Sequence, residues 1–299
     1  MEFTKYPVDE NGLILYPDDS EWRRSIFPEK VFRHPAKANL HIISDVVDYT
    51  TEPGDTVMDI MAGTGSIMIA AMRDRRVVCI ELEEGYQKLL FEGRQRIEEL
   101  YPDARDIITI LCGDCRDFLP IPVNHILFSP PYSSCMNIRK VRKQKEGADD
   151  YLVEQDRQMM EYSKHPRNLS KLNTFLYNQT MERIYKLCWQ SILPGGTLTI
   201  IIKDRIENGE RVYLSKWVDK VCRGIGFTLF GWFKWKAPGS GFTNIARSQG
   251  RLVVDDEDII LYRKGSNPND DWEKAEQQVQ DYMDWKFRHE EEATCRNER

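Results

Sequence analysis

The chain has 299 residues, 41% of them hydrophobic and 11% aromatic, enough to fill one large or two small cores and too apolar for a disordered polymer. Its formal net charge of −6 excludes a uniformly basic coat for nucleic acid, although binding follows the local field and leaves room for a basic patch. No apolar run approaches the ~18 residues of a membrane span. The start, MEFTKYPVDENG, lacks the basic-then-apolar pattern of a signal peptide, and seven scattered cysteines fit free thiols in a reducing, cytoplasmic setting.

Residues 1–31 are polar, contain prolines and are dotted with aromatics, so they read as an N-terminal arm in which Trp22, Ile26 and Phe27 pack. Phe32 to Lys37 then leads into Leu40, Ile43, Val46 and Val47 at helical spacing, an amphipathic helix with Pro35 near its start. Thr51 to Asp55 is a turn. Thr56 to Asp59, the glycine stretch to Ser66, and Ile67 to Met72 read as strand, turn and helix. Glycines there let the backbone approach a ligand, and the following helix offers free N–H groups.

Val77 to Glu81 is a second strand that ends in a carboxylate, the usual partner of ribose hydroxyls at that place. A helix runs from Glu84 to about Leu100, and a third strand, Ile107 to Leu111, leads to Asp114 on the same edge. Cys112 and Cys115 form a lone CxxC with no second pair, too few ligands for zinc. The fourth strand, His125 to Phe128, stops at Ser129-Pro130-Pro131-Tyr132. Two prolines hold that turn extended and present a hydroxyl, a carbonyl and a ring together at the strand's C-terminal end, where open α/β sheets bind ligands. Such a set suits a planar group that carries an amine.

Residues 133–171 interrupt the α/β rhythm with a basic run (Arg139, Lys140, Arg142, Lys143), which is either a solvated loop or a nucleic-acid contact beside the turn. A helix from Leu172 to Leu193 restores the pattern. Pro194-Gly195-Gly196 turns into the strand Thr197 to Ile202. A helix near 215–223 follows, then strands at 227–235 and 259–262, an antiparallel pair that closes the sheet. Trp232, Phe233 and Trp235 read as core and hairpin packing. Residues 265–299 are charged and read as a surface helix with a frayed tail.

In this order the parts resemble the S-adenosylmethionine-dependent amino-methyltransferases that act on cytosine N4 or adenine N6 of DNA. The resemblance covers roughly residues 30–264 and has the gamma arrangement of motifs. Asp59, Met61, Ala62, Gly63, Thr64, Gly65 and Ser66 are similar to that family's cofactor glycine motif, with Ile60 where proline is usual. Glu81, with Leu82 after it, stands where the ribose-binding acid does. Asp114, followed by Cys115, faces the cofactor's adenine by the same comparison. His34-Pro35-Ala36-Lys37 resembles the segment at the cofactor's methionine end, with His34, Pro35 and Lys37 as its binding residues. Ser129, Pro130, Pro131 and Tyr132 resemble the catalytic (D/N/S)PPY turn.

The resemblance implies a Rossmann-like class I fold over residues 32–264, an α/β domain with a seven-stranded, mostly parallel sheet and an antiparallel edge pair. It implies S-adenosylmethionine as cofactor and site-specific methylation of duplex DNA with a flipped base, in a restriction–modification, phage or regulatory setting. Serine in the first position of the turn leans toward cytosine N4. Adenine N6, RNA, a protein amide, or a non-catalytic cofactor-binding subunit are the alternatives, and a homodimer or specificity partner is left open. The segments 133–171 and 237–251 are the candidate target-recognition elements. No metal and no membrane are expected.

Overall fold

Short apolar runs punctuated by glycine, proline and acidic residues fold here into strands that alternate with helices. A computed structural model of the chain describes residues 2–33, 37–131, 165–237 and 247–265. Its strands are β1 (Thr56–Asp59), β2 (Arg76–Glu81), β3 (Ile108–Cys112), β4 (Val123–Phe128), β5 (Ile192–Ile202), β6 (Arg205–Glu207), β7 (Glu210–Val212), β8 (Thr228–Lys236) and β9 (Asp256–Arg263). The helices are α1 (Ser20–Ile26), α2 (Leu40–Thr50), α3 (Glu84–Leu100), α4 (Cys115–Phe118), α5 (Thr174–Ser191) and α6 (Leu214–Ile225).

Seven strands form one sheet in the order β3-β2-β1-β4-β5-β9-β8. All neighbours from β3 to β5 are parallel; β9 runs antiparallel to both β5 and β8. This is the seven-stranded, mostly parallel sheet with an antiparallel edge pair of the Rossmann-like methyltransferase fold. Successive side chains point to opposite faces of a strand. Val57, Val77, Cys79, Ile110 and Leu127 therefore face α2 and α3, while Met58, Val78, Ile80, Ile126 and Phe128 face α5 and α6. Both faces are covered, which is why the parallel strands read as nearly unbroken apolar runs. The strand order reverses between β1 and β4, so a crevice opens at their C-terminal ends.

The first residues of the chain pack on this frame. Ile26, Phe27 and Val31 are buried in the same core as α2 and α3, and Trp22 packs against it. Ile14 N–H donates to Lys234 O (2.8 Å), and Lys236 N–H donates to Ile14 O (3.0 Å), so the arm pairs with the outer edge of β8. The Phe3 ring stacks on Phe233 at 3.9 Å. An exposed sheet edge is thereby covered. Trp232 and Trp235 donate through Nε1 to Asp258 (2.7 Å) and Glu257 (2.9 Å) on the neighbouring strand, in keeping with their reading as packing residues.

Four local features differ from the sequence reading. The helix expected to start near Pro35 is divided into a 3₁₀ turn, Glu29–Arg33, and α2, which begins after Asn39. Asn39 is the stronger start signal, because its side chain accepts from His41 N–H (2.8 Å) and caps the helix. The helix after the glycine turn is a 3₁₀ helix, Ser66–Arg73, bounded by left-handed residues Gly65 and Asp74. Pro194-Gly195-Gly196 does not precede the strand but lies inside β5, where the register against β4 shifts. A Cβ on Gly196 would sit 2.5 Å from Asn124 O, so the irregularity needs glycine. The hairpin β6–β7 was not anticipated.

His125 lies fully buried in β4, with Nδ1 and Thr197 Oγ1 sharing a hydrogen bond of 2.7 Å. Burial lowers its pKa to about 3, against a smaller opposing effect of Thr197. The folded ring is neutral, whereas the unfolded chain takes up a proton below about pH 6.5. This contribution to stability is therefore complete above about pH 6.5 and declines as pH falls toward about 3. His125→Gln should flatten the fall in urea-unfolding free energy between about pH 7 and about pH 4 relative to wild type. Identical slopes in the two proteins would refute the assignment.

Candidate active site

Each parallel strand ends on the same edge, and each end supplies a polar group. At the end of β1, the buried Asp59 carboxylate accepts from Met61 N–H (2.9 Å). The chain then turns through Gly63 (φ 53°) and Gly65 (φ 81°), both in the left-handed region. A Cβ at Gly65 would come within 2.3 Å of Met68 Cε and 2.7 Å of Leu90 Cδ2, so this turn packs as close to α3 as backbone permits.

Glu81 closes β2 and ties the neighbouring loops together. Its Oε2 accepts from Gly63 N–H (2.7 Å), and its Oε1 accepts from Glu83 N–H (2.8 Å). Its backbone carbonyl accepts from Gly113 N–H (2.8 Å), which fixes the loop after β3. Burial pushes the Glu81 carboxyl up to about 7; the N–H groups of Glu83 and Gly63 oppose that rise, and the Glu83 charge adds to it. Burial likewise pushes Asp59 up to about 7, opposed by the Met61 N–H and reinforced by Glu81. Two desolvated acids side by side mark this edge as a place where polar groups are held ready rather than solvated.

At the end of β3, Asp114 caps α4 by accepting from Arg116 N–H (3.0 Å) and Arg116 Nε (2.8 Å). Arg167 Nε lies 2.9 Å from its other oxygen. Burial works to raise this carboxyl, but the Arg116 hydrogen bonds and the two guanidinium charges outweigh it and hold the pKa below the usual carboxylate value. Cys115 is buried, and burial raises its thiol to about 12, so it is no nucleophile near neutral pH. Among the described residues no group of three or more His, Cys, Asp or Glu could hold a metal, and no helix is long and apolar enough to cross a membrane.

At the end of β4, the Ser129 residue is exposed, Pro130 is buried and Pro131 is half-buried. One cavity joins these strand ends. It is lined by Ile60, Met61, Glu81, Leu82, Glu83, Gly113, Asp114, Cys115, Arg116, Ser129, Pro131, Arg167, Asn168, Leu169 and Ile184. Met61, Glu81, Leu82, Asp114, Cys115, Ser129 and Pro131 were all singled out in the sequence, and the fold brings them to one space. Asp59 and Gly63 lie behind that wall, bonded to Met61 and Glu81. Ser66 turns instead toward Arg23 (3.0 Å), and half-buried Lys37 donates to Phe32 O (3.4 Å); neither lines the cavity. His34, Pro35, Tyr132, Arg139, Lys140, Arg142 and Lys143 lie outside the described residues.

Sequence reading missed one wall. Residues 165–171, the last part of the segment taken as a recognition insert, fold back onto the cavity. Asn168 Nδ2 donates to Glu83 Oε1 (2.7 Å), and Asn168 Oδ1 accepts from Ser170 N–H (3.0 Å) and Ser170 Oγ (2.8 Å). Arg167 pairs with both Asp114 and Asp117. The only sequence signal was Asn168 followed two residues later by serine, a short-range cap pattern easily passed over in a non-periodic stretch.

Residues 9–92 match a family model described as DNA methylase. No curated protein matches the chain. Among solved structures it is similar to a methyltransferase from Pyrococcus furiosus (12% identity, 78% of this chain and 87% of that one, TM-score 0.45). It is also similar to a putative rRNA-methylase from Clostridium thermocellum (13% identity, 77% and 100%, TM-score 0.44). A third is precorrin-6y C5,15-methyltransferase from Geobacter metallireducens GS-15 (13% identity, 84% and 98%, TM-score 0.44).

The Asn168–Glu83 contact gives a test of this wall. Asn168→Ala removes the donor that faces a buried carboxylate and should cost about 1–3 kcal/mol in urea unfolding. Asn168→Asp puts a second carboxylate against Glu83, and such a pair ionises fully only at a cost. Its loss of stability should therefore grow as pH rises from about 5 to about 8. A deficit that does not vary with pH would show that the two side chains are not in contact.

The family match spans His34 to Lys37, the glycine turn and Glu81 and ends before the Ser129 turn; over residues 9–92 it supports the resemblance to the N4/N6 DNA methyltransferases.

Proposed function

We propose that the protein is an S-adenosylmethionine-dependent DNA methyltransferase that modifies an exocyclic base amine, with cytosine N4 as the favoured position. The observation that carries this reading is the single cavity in which Ser129 and Pro131 meet Glu81, Leu82 and Asp114. The donor set fits the cofactor. Ile60, Leu82, Leu169 and Ile184 supply apolar walls for a flat purine, Glu81 an acceptor for hydroxyls, and Asp114 an acceptor for an amine. Bound there, S-adenosylmethionine would supply an electrophilic methyl group on a sulfonium.

The chain's own residues then have defined work. An exocyclic amine is a weak nucleophile because its lone pair is delocalised into the ring. Ser129 Oγ and the Pro130 carbonyl accept its two hydrogens, which favours a pyramidal nitrogen and takes up developing positive charge. The two prolines keep these acceptors in fixed relation, so little reorganisation is needed during transfer. Tyr132 stacks on the extruded base. Transfer is direct, since the turn carries proline where a cysteine nucleophile would be needed. His34, Pro35, Lys37 and the turn from Asp59 to Ser66 serve the cofactor. The basic run Arg139 to Lys143 contacts the DNA backbone.

The reading is tested by incubating the protein with S-adenosylmethionine and mixed-sequence duplex DNA, digesting to nucleosides and identifying the product by mass. N4-methylcytosine is expected. N6-methyladenine would keep the mechanism and show that serine does not set the base. Ser129→Ala should lower the rate by about 100-fold while cofactor affinity stays within about twofold. Absence of methylated nucleoside from the wild-type digest would refute DNA as the substrate.

A further inference from the structure

The connection from β5 to α6 carries an excursion that the sheet does not need, the hairpin β6–β7. It leaves the C-terminal end of β5, on the same edge as the cavity. Phe128 pairs with Ile200, so Ser129 begins about one strand spacing, ~4.8 Å, from Ile201. From Ile201 the chain reaches Arg205, the first residue of β6, within ~14 Å. The ribbon therefore starts beside the Ser129 turn without lining the cavity itself.

Its base is held rigidly by buried acids. Asp204, 4% exposed, accepts from Arg211 Nε (2.9 Å) on the returning strand, and from Ser215 N–H (3.1 Å) and Oγ (3.0 Å) in the first turn of α6. Arg211 Nη2 also donates to Asp256 Oδ2 (2.7 Å), which pins the ribbon to β9. The tip is the opposite case. Glu207, Asn208, Gly209 and Glu210 are all exposed, and Asn208 (φ 52°) and Gly209 (φ 84°) make the two-residue turn. Glu207 lies directly across from Glu210, a like-charge pairing that destabilises a ribbon left to itself. Of the tip side chains only Glu207 has a partner among the described residues, Arg205 Nη2 (2.9 Å). A fixed base under polar side chains that have nothing to bond is the form of a preorganised binding element.

The chemistry of the tip selects its partner. A carboxylate only accepts hydrogen bonds, and phosphate repels it, so the tip does not suit the DNA backbone. The major groove admits a two-stranded ribbon, and the donors exposed there are the exocyclic amines of cytosine and adenine. We infer that β6–β7 is a sequence-reading ribbon: Glu210, with Asn208 beside it, accepts from the amine of a cytosine that flanks the target base. Glu210 is then a specificity-determining residue with no part in methyl transfer, on an element separate from the segments 133–171 and 237–251. This inference rests on the proposed DNA substrate.

The test uses the full chain, S-adenosylmethionine and mixed-sequence duplex DNA, with sequencing that detects the modified base and reads its neighbours. Wild type should favour cytosine over guanine and thymine by about tenfold at one fixed flanking position. Glu210→Ala should cut that preference to within about twofold, leaving preferences elsewhere and the affinity for S-adenosylmethionine unchanged. Glu210→Gln keeps an acceptor and adds a donor, so it should move the preference at that position to adenine. Both variants are at an exposed position and should unfold at the wild-type urea midpoint; if Glu210→Ala does not fold, Glu210→Gln decides the matter. An unchanged flanking profile, a change of equal size at every position, or a parallel loss of cofactor affinity would overturn the inference. So would a wild-type protein that methylates DNA with no flanking preference. A wild-type protein that methylates no DNA would instead overturn the proposed function, and this inference with it.

Discussion

The arrangement of the site depends on one carboxylate, Glu81. With one oxygen on Gly63 N–H and the other on Glu83 N–H, it fixes the loops after β1 and β2 relative to each other. Its main chain does the same for the loop after β3 through Gly113. Strand ends in an open sheet would otherwise be held only by ladder bonds that stop short of the loops. Glu83 extends the connection, since its side chain accepts from Asn168 across the cavity. A continuous line of buried polar contacts therefore runs from the glycine turn to the segment that returns after residue 164. Such a chain is costly to leave half satisfied, which makes its members interdependent.

The sheet explains why this carboxylate is where it is. Parallel pairing puts the C-terminal ends of β1 to β5 on one edge, and the reversal of order between β1 and β4 opens a gap there. Residues that are distant in sequence, such as Met61, Asp114 and Ser129, meet at that gap without any special long-range interaction to recruit them. The antiparallel β9 and the arm-covered β8 finish the sheet on the far side, away from this crevice.

Much of this was legible in the residues themselves. The parallel strands announce themselves as short apolar runs, because both their faces are buried. Asp59, Glu81 and Ser129 stand out because each closes or follows such a run at once, and Asp114 because only Gly113 separates it from one. Other features left weaker marks. The hairpin β6–β7 turns on Asn208 and Gly209, both with positive φ, the expected signal of a tight turn; its strands are three residues each and half-exposed, so no alternation could reveal them. The cap at Asn39 is marked by a single asparagine, and Pro35 also suits a helix start. Arg23 and Arg24 are indistinguishable in sequence, and only the phase of α1 against the core separates the buried one from the exposed one. The wall made by Arg167, Asn168 and Leu169 has no periodicity, because it is shaped by the groups it covers rather than by a face of regular structure.

The pairing of the arm with β8 has a consequence for how the chain is made. Phe3 and Ile14 emerge from the ribosome well before Phe233 and Lys234, on which they pack. At translation speeds of ~5–20 residues per second, the interval between them is on the order of ten to fifty seconds. During that interval Phe3 can meet Tyr49, on α2, but its stacking partner Phe233 has not yet been made. The pairing of the arm with β8 is thus completed late, and this edge of the sheet can be sealed only when both halves of the domain are present.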